Sequence, residues 1–161
     1  MVVVSDTSPI LNLAATGHLG ILQGLYTTVV VPDAVIRELL AIGPEAFDGV
    51  KLQSLPWVEV RTLGSRTLVE SLLLELDVGE AEAIALALES KADLLLVDER
   101  RARQVASRLG LKYVGLIGAL IHAKRTGLIA AVKPVLDDLR LKAGFWVSER
   151  LYVSVLREAE E

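Results

Sequence analysis

Short apolar runs, each followed by a helical segment, recur along this chain and limit its fold more than any other feature. Residues 2 to 5 are apolar and β-branched up to Ser5 and lead into Asp6, with Ser8 suited to cap the next helix and Pro9 to sit in its first turn. That helix is expected to run to about Ala15, where Gly17 closes it, and a second helical turn covers His18 to Leu25. Thr27 to Val31 reads as a strand, Pro32 opens a helix carrying Arg37 and Glu38, and Trp57 to Arg61 alternates like a short strand. Gly43-Pro44 and Asp48-Gly49 mark a loop between them. Ser65 to Leu76 and Gly79 to Ser90 read as successive helices, and Leu94 to Val97 as a continuous apolar strand ending at Asp98. Glu99 to Leu109 follows as a basic helix, Lys112 to Val114 as the last parallel strand, then a helix through Ala123. Val135 to Leu141 and Glu149 to Glu158 close the chain as helices, with Phe145 to Val147 extended.

Strand, helix, strand at this spacing gives right-handed crossovers and a mainly parallel sheet. The expected architecture is an α/β fold, a three-layer α/β/α sandwich formed as one domain over residues 1–161. In such sheets ligands gather beyond the carboxyl ends of the strands. That rule selects Asp6 and Asp98, each the first residue past an apolar run.

Composition narrows the chemistry. The apolar fraction is 52% and mean hydropathy is +0.48, high enough to require a search for a membrane span. The apolar runs are short and flanked by charge, so no membrane partner is expected. With no cationic leader before Val2, the expected location is the cytoplasm. The absence of Cys removes disulfides, thiolate metal sites and Cys nucleophiles, and two His leave little for a zinc site. A net charge of -4 argues against coating nucleic acid by bulk electrostatics, although a local basic rim is compatible with it.

Carboxylates therefore carry the candidate chemistry. Counted at about 100° per residue, Glu80 lies on the side of Ile84, Ala87 and Leu88, whereas Glu82 and Glu89 fall on the opposite, outward face. Each acid also has a plain structural use: Asp6 and Asp98 as helix caps, Glu80 as a first-turn partner of the helix dipole, Glu38 on the surface. Gathered together, they repel by about 4 kcal/mol per pair at 4 Å and an effective dielectric near 20. Such a cluster demands a cation or raised pKa values. Hard oxygen ligands suit Mg²⁺ or Mn²⁺, ions that support phosphodiester hydrolysis.

Four blocks resemble the PIN-domain superfamily, in particular its prokaryotic branch of unknown function. They are Val-Val-Ser-Asp6-Thr7-Ser8-Pro9, Val-Val-Pro32 to Arg37-Glu38-Leu, Asp77-Val-Gly79-Glu80-Ala-Glu82, and Leu-Leu-Val-Asp98-Glu99 to Arg103. The resemblance implies that Asp6, Glu38, Glu80 and Asp98 bind Mg²⁺ or Mn²⁺ and carry catalysis, with Glu82 and Glu99 as auxiliaries. It implies that Ser8 or Thr7 orients Asp6 or a bound water, and that Arg103 pairs with the acids or contacts phosphate. The activity it implies is cleavage of single-stranded RNA, often as the toxin of a toxin-antitoxin pair, by a protein that forms homodimers. One departure stands out: similar proteins carry Gly-Thr after the last strand, whereas Leu116 follows Gly115 here.

That departure and the acidic charge motivate an alternative, a PIN-like binding or regulatory module with weak or no catalysis. An aspartyl phosphotransferase fits less well, because Asp6-Thr7-Ser8 has no second acid two residues on. Arg100, Arg101, Arg103, Arg108 and Lys112 lie near Asp98 in sequence and would guide a phosphate backbone or form a solvated helix face. His18 and His122 read as surface or packing residues, and Trp57 and Trp146 as core or interface aromatics rather than base-stacking platforms.

Overall fold

The computed structural model describes residues 1–43 and 54–161. Strand β1 (Val3–Ser5) leads into helices α1 (Thr7–Ala15) and α2 (Gly20–Tyr26), then β2 (Val29–Pro32), α3 (Asp33–Ile42) and β3 (Val58–Arg61). Helices α4 (Thr67–Leu72) and α5 (Val78–Glu89) precede β4 (Leu94–Leu96), followed by α6 (Arg100–Arg108), β5 (Tyr113–Val114), α7 (Leu116–Arg125), α8 (Lys133–Lys142) and α9 (Glu149–Glu158). The turn expected from Pro44 through Gly49 lies outside the described residues.

The strands form one sheet in the order β3-β2-β1-β4-β5, and every pairing is parallel. The mainly parallel α/β sandwich expected from the sequence is therefore the fold. Alternation along each strand divides the core between two faces. Val3, Val29, Val31 and Leu96 pack with α1, α2, α7 and α8 on one side. Val4, Val30, Leu95 and Val97 pack with α4, α5 and α6 on the other. With residues on both faces buried, the strands need continuous apolar runs, which is why the high apolar fraction requires no membrane. No helix among the described residues is long and apolar enough to cross one.

Strand order reverses between β1 and β4. From β1 the chain winds outward through β2 to β3, and from β4 it winds the other way to β5. The crossovers on the two sides leave a crevice beyond the carboxyl ends of β1 and β4, the place where open parallel sheets bind ligands. Ser5 pairs with Leu96, so Asp6 and Asp98 lie just past the ends of these two adjacent strands.

One local expectation changes. Helix α1 starts at Thr7 with Asp6, not Ser8, in the cap position, because the backbone passes directly from strand into helix. Residues 145 to 147 form neither strand nor helix. Trp57 belongs to the core at 5% exposure, but Trp146 is 82% exposed and is no core residue.

Candidate active site

Asp6 is the most buried of the four acids expected to bind metal, with 4% of its surface exposed. Although it occupies the cap position of α1, it makes no capping hydrogen bond, which leaves its carboxylate for other work. Burial lifts its pKa from 3.8 to about 7; the Thr7 N–H opposes the shift, and the charges of Glu80, Asp77 and Glu38 add to it.

Glu38 reaches the same place from α3. Its Oε2 accepts a hydrogen bond from Thr7 Oγ1 at 2.5 Å, so Thr7, rather than Ser8, supplies the hydroxyl that orders an acid here. A Cβ on Gly79 would stand 2.6 Å from that carboxylate, so the glycine at the start of α5 leaves the space Glu38 occupies.

Glu80 lies one residue further along α5. Asp77 Oδ1 accepts from the Glu80 N–H at 2.8 Å, and Glu80 Oε2 accepts from the Asp77 N–H at 3.2 Å, a reciprocal capping box. The helix-start use of Glu80 is thus real, and it also sets the carboxylate beside Asp6. Its pKa is raised, first by burial and then by the Asp77 charge. Asp77 is an acid beyond those expected from the motifs, although its spacing to Glu80 is the signature of such a box.

Asp98 stands at the end of the neighbouring strand. Its Oδ1 accepts the Leu116 N–H at 2.8 Å, while Oδ2 is buried without a hydrogen-bond partner among the described residues. Burial raises its pKa, against the Leu116 N–H and the positive charge of Arg103. Leu116 itself is 1% exposed and belongs to the core. At this position a backbone N–H, not a side-chain hydroxyl, meets the acid. Glu99, exposed at the cap position of α6, adds its charge to the field at Glu80.

Glu82 departs from the outward face assigned to it: it is 2% exposed. Its Oε1 accepts the Ala34 N–H at 3.1 Å, and its Oε2 lies 2.8 Å from Arg66 Nη1 and 3.8 Å from Arg37 Nη2. The carboxylate therefore fastens the start of α3 to α5 and fixes the two helices that deliver Glu38 and Glu80. Both arginines are largely exposed, so deleting Glu82 strands no buried charge; the main loss is the acceptor for the buried Ala34 N–H. Glu82→Ala is expected to cost about 1–3 kcal/mol. At roughly 2–4 °C per kcal/mol for a chain of this size, thermal melting will resolve the loss, and an unchanged midpoint would refute the fastening role.

The remaining polar residues divide clearly. Arg101 and Arg108 both pair with Glu75, and His18 Nε2 lies 2.9 Å from Asp138 Oδ2 in α8. Fold and electrostatics thus bring Asp6, Glu38, Glu80 and the added Asp77 within one another's field, with Asp98 on the adjacent strand end. Among the described residues no three acidic or histidine side chains stand together as a group that could hold a metal ion.

A family model described as DUF3368: PIN domain matches residues 2–161, nearly the whole chain. The chain belongs to the PIN-domain family. PIN domains are generally nucleases, and they typically use divalent metals. No curated protein matches this PIN domain.

Proposed function

We propose that this PIN domain is a Mg²⁺- or Mn²⁺-dependent endoribonuclease that cleaves single-stranded RNA, with Asp6, Glu38, Glu80 and Asp98 as its metal-binding and catalytic acids. The observation that carries the reading is the buried Asp98 Oδ2, without a hydrogen-bond partner among the described residues, one strand away from the buried Asp6. Buried carboxylate oxygens are costly unless something neutralises them. The donor set fits a hard divalent ion, and Mg²⁺ is commonly held by one or two carboxylates and several waters rather than by an all-protein cage.

When bound, the ion supplies positive charge for the phosphate oxygens and acidifies the attacking water. Asp6 and Asp98 would hold it from the ends of β1 and β4. Glu38, oriented by Thr7, and Glu80, oriented by Asp77, fill the rim, where Glu80 can take the proton that water loses as it attacks phosphorus. The P–O bond to the leaving oxygen breaks, and that oxygen takes a proton from solvent water, while Glu80 later releases the proton it took to solvent. The charge of Arg103 acts on Asp98, and this side chain balances charge or holds phosphate. Work in the cytoplasm, a homodimer and an antitoxin partner belong to the same proposal, as extensions of the family resemblance.

Cleavage of single-stranded RNA with Mn²⁺ by wild type and by Asp98→Asn tests the reading. Wild-type turnover and a loss of about 100-fold or more in the variant are expected, since each 1.36 kcal/mol of lost transition-state stabilisation is tenfold in rate. Metal binding without turnover of any RNA would favour the alternative, a PIN-like regulatory module.

A further inference from the structure

Beside Asp98 runs a groove of about 690 Å³, bounded by α6, the end of β5, the start of α7 and the segment leading into α9. Asp98 and Glu99 stand at one side of it, so it is continuous with the acidic centre. Along it lie Arg100, Arg103, Tyr113, Phe145 and Trp146. The arginines of α6 divide in a way that composition cannot reveal. Arg101 and Arg108 share Glu75 as an ion-pair partner, whereas Arg100 and Arg103, which line the groove, form no ion pair among the described residues. In a chain of net charge -4, this surface sets two guanidinium groups without an ion pair among the described residues beside an exposed indole.

We infer that this groove carries the RNA strand away from the cleavage centre, with Trp146 stacking on a base and Arg100 and Arg103 holding the flanking phosphates. The inference rests on the ribonuclease reading and assigns the residues that take the strand. Stacking platforms beside a cationic track are the means by which proteins bind single strands, because every base has a π-face and every linkage a charge. A polyanion answers both features at once and leads to Asp98, where the scissile phosphate has to lie. A peptide would satisfy the aromatic side chains but would not require two free cations next to a carboxylate centre. Flat stacking on an indole also needs unpaired bases, so the groove selects single strands over duplex.

The chain has two tryptophans, and Trp57 is buried, so a change in tryptophan emission reports on Trp146. The test titrates a short single-stranded RNA into the full chain in EDTA, where no cutting occurs, and measures cleavage with Mn²⁺ separately. Quenching on binding is expected with the single strand and little with the same sequence as a duplex. Trp146→Ala should weaken binding and raise KM about tenfold, and Trp146→Phe should recover much of the loss, without a change in melting temperature. Arg100→Ser with Arg103→Ser should lower the salt slope of binding by about 0.7 for each phosphate left without its guanidinium. If the wild type cuts RNA while emission and the KM of all these variants stay unchanged, the groove assignment falls and the ribonuclease reading stands. If the wild type neither binds nor cuts RNA, both fall. If acrylamide loses access to Trp146 as protein concentration rises without RNA, a second copy covers the groove and the assignment is overturned.

Discussion

Asp6→Asn is expected to melt several degrees above the wild type at pH 8 and to cleave RNA about 100-fold more slowly or not at all. Both effects come from the same buried carboxyl. Its pKa rises from 3.8 to about 7, so between these values the folded protein keeps a proton that the unfolded chain has released. Stability therefore falls as pH rises through this window, and the full cost is present above pH 7. At 1.36 kcal/mol per pKa unit the cost is on the order of 4 kcal/mol. Asparagine has nearly the same shape and no proton to lose, so the variant avoids the cost at pH 8 and gains nothing near pH 4. Asp98 and Glu80, also raised, push the wild type in the same direction. Melting curves at the two pH values, with RNA cleavage in Mn²⁺, check the prediction. A variant less stable than the wild type by the same margin at both pH values would make Asp6 an ordinary structural residue, and full cleavage would remove it from catalysis.

A site that is less stable without its ligand than with its charge removed is a common mark of function. Here it has a specific origin. The sheet places Asp6 and Asp98 past two adjacent strand ends, α3 brings Glu38 over the space left by Gly79, and Glu82 holds α3 and α5 in register.

Much of this is legible in the residues. Short apolar runs that end on an acid before a helical segment specify a parallel sheet, which is the fold, and place Asp6 and Asp98 past the ends of two adjacent strands. Glu82 departs from its expected face for a physical reason: counting helical angles presumes one buried stripe, but α5 is buried nearly all round. Ala81, Ala83, Ala85 and Ala87 allow that close packing on every side, and their repetition is the available sign. The exposure of Trp146 has no such sign, since a tryptophan in a Gly-Phe-Trp-Val stretch reads equally well as core. The division of the α6 arginines depends on Glu75, a residue distant in sequence that only the fold brings close.

Melting of the apo protein against added Mn²⁺ tests the central claim most directly. A ligand that binds only the folded state stabilises it by RT ln(1 + [L]/Kd), about 2.7 kcal/mol at a hundred times Kd. The ion also relieves the repulsion among Asp6, Asp77, Glu38 and Glu80, and it competes with the proton on Asp6. Millimolar Mn²⁺ should therefore raise the wild-type midpoint by several degrees at pH 8, much less at pH 5, and not at all in Asp6→Asn. Equal shifts in wild type and variant, or no shift in either at pH 8 with calorimetry silent, would contradict a cation held by these acids.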